Sequence, residues 1–284
     1  MATSVAEPAP LALGIRPRVR AASALIPLAR RRIALTARNP RQIAVPMLTP
    51  ILFAVVIAPA LKTALGGLRQ FDYTAFVAVG TVGLLVPLTA AFAGLSVIVD
   101  RDSGAQRELL AAPVPRALLV LGNLVVALGL CTLQVGVLVG VAALRGADFH
   151  VSASGIGWFV AAALAFAVLM YGVAETLASR MPNQEEYIGA TPVVAILPWF
   201  FGGALFPIAA LPGALTAFAK VLPLTHALAL MRYGLVDRRG TGLHDIWGSG
   251  STTAHAWLSL AVVVAFAAAV VLLAVRSFTR SALH

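Results

Sequence analysis

Long apolar runs separated by short polar segments make up most of the sequence. Most of the runs are near or above roughly eighteen residues, long enough for a helix to cross the hydrocarbon core of a bilayer. They lack the strict alternation of barrel strands, and a helix satisfies its own backbone groups in lipid. The predicted fold class is therefore an all-α, multi-span membrane protein. The six predicted spans lie at about residues 43–61, 75–99, 117–144, 156–177, 191–206 and 254–275.

The polar segment between the second and third runs, residues 100–116, is the longest internal charged stretch. Ser103 and Gln106 match a capping box, which predicts the start of a short helix, and Pro113 and Pro115 would stop it. Small and apolar residues recur on one face of this helix, at Ala105, Leu109 and Ala112. Such a helix at a membrane surface suits the groove of a soluble partner. The alternative is a solvated loop that only joins two spans.

Two different segments precede the first span. Residues 1–22 are rich in alanine, proline and arginine, and they predict a disordered cytoplasmic tail. Residues 23–38 combine apolar residues at helical spacing with a basic face formed by Arg30, Arg31 and Arg38. This pattern predicts an interfacial helix in the membrane plane, with its arginines among acidic headgroups. The alternative is a basic flank that only sets the orientation of the first span.

Prolines interrupt two of the apolar stretches. In the first span, Pro46, Pro50 and Pro59 predict a kinked or locally irregular helix. Residues 207–236 are cut by Pro207, Pro212 and Pro223. The two remaining pieces, residues 211–222 and 224–236, are each about twelve residues long and too short to cross a bilayer alone. They predict two short helices that dip into the outer leaflet and return. The alternative is one badly broken span.

The distribution of basic residues predicts the orientation. Two thirds of the 21 lysines and arginines fall in segments on the proposed inner side. Because such residues accumulate in cytoplasmic loops, both termini are predicted to be cytoplasmic. Alanine, valine and arginine are abundant, as in bacteria with GC-rich genomes, so the predicted location is a bacterial plasma (inner) membrane.

The composition excludes several classes of protein. With 60% hydrophobic and 11% charged residues and a mean hydropathy of +0.92, the chain is too apolar for a soluble protein. The net charge of +10 is explained by arginines that flank spans, and the aromatic interleaving of a nucleic-acid surface is missing. The single cysteine, Cys131, cannot form an intramolecular disulfide.

No catalytic motif is apparent in the sequence. Neither of the two lysines, Lys62 and Lys220, belongs to a phosphate-binding P-loop, so the chain is not expected to hydrolyse nucleotide. The five histidines lack metal-ligand spacing, and no metal site or cofactor is predicted in this chain. Glu175, near the inner end of the fourth span, is a possible proton or charge site. Alternatively, it reaches water or pairs with Arg180.

Two stretches carry a family resemblance. Residues 100–116, DRDSGAQRELLAAPVPR, have an acidic-basic-acidic-Ser-Gly opening, a Leu-Leu pair and an arginine after the prolines. Residues 200–235 have a small-residue turn, Phe-Pro, Leu-Pro, Pro-Leu-Thr and a later arginine. In this order and separation they resemble the membrane subunit of type-2 ABC transporters, the group that includes daunorubicin-resistance permeases. His226, where an aromatic is common, and Leu222, where asparagine often precedes the proline, depart from the pattern.

The resemblance implies a six-span permease that pairs with an identical or different permease, each resting on a separate ATPase that holds ATP and Mg. It implies that residues 23–38 are the elbow helix, residues 100–116 the cytoplasmic coupling helix, and residues 207–236 the outer re-entrant helices. The implied ATPase-coupling residues are Asp102, Ser103, Gly104, Gln106, Arg107, Glu108, Leu109 and Leu110. The implied outer gate comprises Pro207, Pro212, Pro223, His226 and Arg232.

The expected function is export of a small amphipathic drug or lipid-like molecule, driven by ATP in the partner subunit. The four tryptophans and four tyrosines form no obvious belt for stacking a sugar polymer. Membrane lipid is a further expected contact, and nucleic acid is not. A proton-coupled secondary transporter that uses Glu175, and a membrane module that transports nothing, are the alternatives.

Overall fold

The computed structural model describes residues 72–106 and 115–281, and short pieces at residues 26–27, 29–31, 33–35, 38, 47–49, 51–57, 59–60 and 63. The α-helices of the two long stretches are α1 (Tyr73–Asp102), α2 (Arg116–Leu144), α3 (Ala153–Ala178), α4 (Gln184–Phe201), α5 (Gly213–Val221), α6 (Pro223–Leu235), α7 (Thr241–Trp247) and α8 (Thr252–Ser281). A 3₁₀ turn, Ile208–Ala210, precedes α5.

Four of the described helices, α1, α2, α3 and α8, are long and apolar enough to cross a membrane. Helices α5 and α6 meet at a bend of 83° and would make a fifth span if the pair is counted as one. No strand occurs among the described residues. The prediction of an all-α, multi-span membrane protein is therefore confirmed for this part of the chain, while the six-span count stays a prediction.

Helix α3 is the centre of the bundle and packs against α1, α2, α6 and α8. Small residues bring it close to α6, because a Cβ atom on Gly155 would overlap the carbonyl oxygen of Gly234. A Cβ on Gly172 would lie 3.1 Å from the backbone nitrogen of Val271 in α8. Close approach at small residues is a common means of packing helices in membranes.

Helix α1 starts and ends with local capping signals. Asp72 is its N-cap, and the carboxylate accepts a hydrogen bond from the Thr74 amide at 3.0 Å. The helix ends at Asp102 because Gly104 adopts a φ of 77°, a left-handed conformation that favours glycine. It therefore continues three residues into the segment that we predicted to be separate.

Ser103 does not play the capping role that the sequence predicts. It is the C-cap of α1 in a helical backbone conformation, and its hydroxyl donates to the carbonyl of Asp100 at 3.3 Å. An N-cap needs an extended backbone and a side chain that accepts from an amide further along the chain. The expected capping box was thus wrong, although Ala105 and Gln106 are helical.

The fifth predicted span, residues 191–206, corresponds to α4 with different limits. Helix α4 begins in polar residues, where Asn183 caps the amide of Glu186 at 2.9 Å, and it ends at Phe201 before a turn at Gly202 and Gly203. It is not among the four helices that are long and apolar enough to span. The polar first turn lowers the mean hydropathy of α4, which is why α4 is not counted among the spanning helices.

The prolines of residues 207–236 begin new elements, as the sequence predicts. Pro207 caps the 3₁₀ turn, Pro212 caps α5, and Pro223 is the first residue of α6. Proline is favoured at such positions because its missing N–H has no partner there. Two short helices are thus confirmed, while their placement in the outer leaflet stays a prediction.

Loops that we predicted on the same side of the membrane lie at the same end of the bundle. At the predicted outer end, the Asp72 carboxylate accepts from the Asp148 amide at 2.8 Å, and the His150 amide donates to the Leu235 carbonyl at 2.8 Å. At the other end, Arg101 contacts the α3–α4 connection. The grouping of these loops at two ends therefore matches the prediction, while the assignment of one end to the cytoplasm stays a prediction.

The N-terminal part is described only in pieces. Residues 26–27, 29–31 and 33–35 are helical, but the interfacial placement of residues 23–38 stays a prediction. In the first predicted span, Phe53–Ile57 form a π-helical turn between Pro50 and Pro59. This confirms the expected local irregularity. The predicted tail, residues 1–22, lies outside the described residues.

Candidate functional site

Arg232 of α6 is the centre of a buried polar cluster at the predicted outer end. Its Nη1 donates to the carbonyl of Gly203 at 2.7 Å, and its Nη2 donates to the carbonyls of Ala204 at 2.8 Å and Phe76 at 3.3 Å. The guanidinium carbon lies 3.4 Å from the centre of the Phe76 ring. Among the described residues no carboxylate pairs with Arg232. Carbonyl dipoles and an aromatic face therefore stabilise its charge.

Helix α1 and the turn after α4 approach closely enough to form this cluster. A Cβ atom on Gly80 would overlap the carbonyl oxygen of Ala204, so only glycine fits there. The Trp199 indole donates to the Gly80 carbonyl at 2.9 Å, and the Tyr73 hydroxyl donates to the Leu205 carbonyl at 2.8 Å. Together with Arg232, these side chains tie the turn to the first two turns of α1.

His226 connects four outer elements through one hydrogen-bond chain. Its Nε2 lies 2.9 Å from the Lys220 carbonyl, which can only accept, so Nε2 carries the proton in the neutral ring. Its Nδ1 then accepts from the Ser259 hydroxyl at 3.2 Å, and Ser259 accepts from the Trp247 indole at 2.8 Å. His226 is thus a buried junction between α5, α6, α7 and α8.

At the opposite end, Arg101 joins the end of α1 to the α3–α4 connection. Its Nη2 donates to the carbonyls of Met181 and Pro182, both at 2.9 Å, and Nη1 to that of Ala178 at 3.5 Å. The Asp102 carboxylate accepts from the Gln184 side chain at 3.3 Å. The positive charge of Arg101 also lies near the C-terminus of α3, where it is favourable.

Glu175 is completely buried, with 0% exposure, so it does not reach water as one alternative required. The Tyr171 hydroxyl lies within hydrogen-bond distance of two acceptors, the Val120 carbonyl at 2.8 Å and Oε2 of Glu175 at 3.0 Å. Arg180, the partner that we considered, has an exposed side chain. Glu175 therefore lies inside the bundle, on the face of α3 that contacts α2, and its role as a proton or charge site stays a prediction.

The predicted ATPase-coupling residues are only partly described. Asp102 and Ser103 are exposed, and Gly104 and Gln106 are half-buried at the end of the described stretch. The other predicted coupling residues, Arg107, Glu108, Leu109 and Leu110, lie outside the described residues. Their docking role therefore stays a prediction.

The family model described as ABC-2 type transporter matches residues 24–236, more than half of the chain. The chain belongs to the ABC-2 type transporter family. No curated protein matches it. The ABC-2 assignment makes the chain a multi-pass permease subunit of an ABC transporter, and it implies an ATPase partner and, typically, a dimeric arrangement.

In this ABC-2 permease, α1 connects both candidate sites. Its 30 residues span about 45 Å, with Pro87 near the middle of the helix. Its first turns contact the Arg232 cluster, and its last turn carries Arg101 and Asp102. A movement of α1 would therefore change its contacts at both ends of the bundle.

Sequence reasoning missed several residues of these sites. Tyr73, Phe76 and Gly80 belong to an apolar run, and nothing local distinguishes them from residues that face lipid. Arg101 resembles an ordinary basic flank. The close approach at Gly80 depends on Ala204, which lies more than a hundred residues further along the chain, so no local pattern could indicate it.

Proposed function

We propose that the chain is the permease of an ATP-driven exporter that moves an amphipathic drug or lipid-like molecule outward. ATP and Mg would be bound by a separate ATPase subunit, and two permeases would form the transport path. The location would be a bacterial plasma membrane, with both termini cytoplasmic. The resemblance to daunorubicin-resistance permeases belongs to this proposal, because the family assignment itself is broader.

One observation carries the proposal: a single helix, α1, links the predicted coupling segment to the predicted outer gate. Closure of the ATPase would push on residues 100–116, and Arg101 would couple that displacement to the α3–α4 connection. At the other end α1 supports Arg232 and the turn after α4, from which α5 and α6 follow. The energy source and the gate can therefore lie on opposite sides of the membrane.

The first experiment tests docking of the ATPase. We expect the double variant Leu109→Asp, Leu110→Asp to lose co-purification of the ATPase while the chain still inserts in the membrane. Leu144→Asp is the matched control, since Leu144 is an exposed leucine at the predicted outer end. Unchanged co-purification with the double variant would contradict the proposed coupling helix.

A proton-coupled transporter is the second candidate, favoured by the complete burial of Glu175. Buried carboxylates at membrane depth often carry protons. Vesicles loaded with substrate distinguish the two functions. An ATP-driven exporter needs ATP and continues in the presence of an uncoupler. A proton-coupled transporter works without ATP, stops with an uncoupler, and loses transport in Glu175→Gln but not in the exposed control Glu185→Gln.

A further inference from the structure

A cleft lies beside Arg232, between α6, α7 and the turn after α4. Its lining is mixed: Phe76 and Ile208 are apolar, Thr225 and Arg232 are hydrogen-bond donors, and Asp237 and Asp245 are acidic. The mixture of apolar surface and convergent polar groups is typical of a ligand site.

Two donors in the lining lack hydrogen-bond partners among the described residues. The Thr225 side-chain oxygen is buried, in a residue with 3% exposure, and has no hydrogen-bond partner among the described residues. The same holds for Nε of Arg232, in a residue with 9% exposure. Buried polar groups are nearly always satisfied, so two orphaned donors in one cleft indicate a missing acceptor.

The acidic residues lie on the α6–α7 side of the same cleft. Asp237 accepts from the amides of Arg239 at 3.0 Å and Thr241 at 2.7 Å, which holds its carboxylate in place. Asp245, on α7, is half-buried and makes no hydrogen bond within the described part of the chain. Neither carboxylate forms an ion pair with Arg232. The cleft therefore presents positive and negative charges that do not neutralise each other directly.

We propose that this cleft binds a zwitterionic headgroup, with its anionic oxygens at Thr225 and Arg232 and its amine at Asp237 and Asp245. A purely anionic ligand would leave the two carboxylates repelled, and a purely cationic ligand would leave both donors unsatisfied. Ala229, which also lines the cleft, lies on the α6 face between Thr225 and Arg232, and its small side chain leaves room.

The apolar lining extends the inference to an amphipathic ligand. Phe76 and Ile208 offer surface to the part of the molecule that adjoins the headgroup. This step rests on the proposed function, in which the cargo is amphipathic. The headgroup chemistry, a phosphate or carboxylate close to an amine, could come from a membrane lipid or from a soluble molecule, and the probes below distinguish the two.

Thr225→Val separates ligand binding from folding. The Thr225 hydroxyl makes no hydrogen bond within the described part of the chain, so its removal is expected to leave the thermal midpoint unchanged or raise it. Binding of dihexanoylphosphatidylethanolamine, measured by calorimetry on the full chain in detergent, is expected to weaken about tenfold. Thr132→Val is the matched control, since that hydroxyl bonds only to the Leu128 carbonyl in α2.

Asp245→Asn tests the amine end in the same way. We expect about tenfold weaker binding of the zwitterion, as for loss of one charged contact, and unchanged binding in the exposed control Asp148→Asn. Binding of free phosphoethanolamine with similar affinity would identify a soluble ligand. Binding only of the short-chain lipid would identify a membrane lipid.

Two results would overturn the zwitterion site. One is equal affinity for dihexanoylphosphatidylglycerol, which has the phosphate without the amine. The other is undiminished binding in both Thr225→Val and Asp245→Asn. The calorimetry uses no ATPase, so such a failure leaves the permease function standing, and loss of ATPase docking would not affect this result.

Discussion

The guanidinium carbon of Arg232 lies 3.4 Å above the centre of the Phe76 ring, and the same arginine donates to the Phe76 carbonyl at 3.3 Å. One residue of α1 thus contributes both an aromatic face and an acceptor to one cation of α6. This double contact fixes α6 against the start of α1, at a position where no carboxylate among the described residues forms an ion pair with Arg232. Arg232 is therefore a structural link as well as a candidate gate residue.

We predict that Arg232→Ala strongly destabilises the protein. Three carbonyls would lose their donor in a buried site, at about 1–3 kcal/mol for each unsatisfied group, and the contact with the ring would also be lost. Arg232→Lys is expected to recover only part of the lost stability, because an ammonium lacks the planar array of N–H donors of a guanidinium. The thermal midpoint in detergent measures the effect. Arg238→Ala, at an exposed arginine, is the control, and equal midpoints for the two alanine variants would contradict the prediction.

A second prediction concerns the crossing of α3 and α6. Gly155→Ala is expected to lower the thermal midpoint, because the new methyl group would overlap the Gly234 carbonyl. At Gly157, two residues along the same helix, an added Cβ would meet no atom of another described element within 4 Å. The control Gly157→Ala is expected to be neutral or to stabilise by about 0.5–1 kcal/mol, through the helix preference of alanine. A Gly155→Ala variant as stable as Gly157→Ala would disprove the close approach.

The positions of the spans and of the proline breaks were predicted correctly, because both depend on residues that are close together in the sequence. The long apolar runs at α1, α2, α3 and α8 gave spans at the right positions, since length and hydropathy alone decide whether a helix suits a bilayer. Pro212 and Pro223 marked the starts of α5 and α6 because proline restricts the backbone wherever it occurs.

The remainder depends on contacts between residues distant in sequence. Arg232 is predicted from family resemblance, but its partners Phe76 and Gly203 lie 156 and 29 residues away. No sequence pattern pointed to Thr225 or Asp245, because only the folded structure tells whether a hydroxyl or a carboxylate has a hydrogen-bond partner. The capping box predicted at Ser103 was wrong for a local reason. The left-handed backbone of Gly104 ends α1 there, so Ser103 lies at the end of a helix and not at the start of one.

A third prediction tests whether Arg101 transmits movement. Arg101→Ala removes its hydrogen bonds to the carbonyls of Met181 and Pro182, so α1 and the α3–α4 connection could move independently. We expect ATP-driven transport in vesicles to fall about three- to tenfold, as for one or two lost hydrogen bonds, while the ATPase still co-purifies. Arg180→Ala is the control, at an exposed arginine of the same connection. Equal transport by the two variants would show that Arg101 is not needed for coupling.

The last prediction uses the titration of Asp245. Burial raises the pKa of this carboxyl; Lys220 lowers it, Asp237 raises it and His244 lowers it, and the net direction is upward. The Asp245 carboxyl therefore binds its proton more tightly in the folded protein than in the unfolded chain, where aspartates have a pKa of about 3.9. The stability that this difference in proton binding contributes is fully present below the unfolded-state pKa. It is lost as the pH rises through the folded-state pKa. We expect the thermal midpoint of the wild type, relative to Asp245→Asn, to decrease as the pH rises above about 4. A relative midpoint that rises with pH would instead mean that nearby cations stabilise the carboxylate.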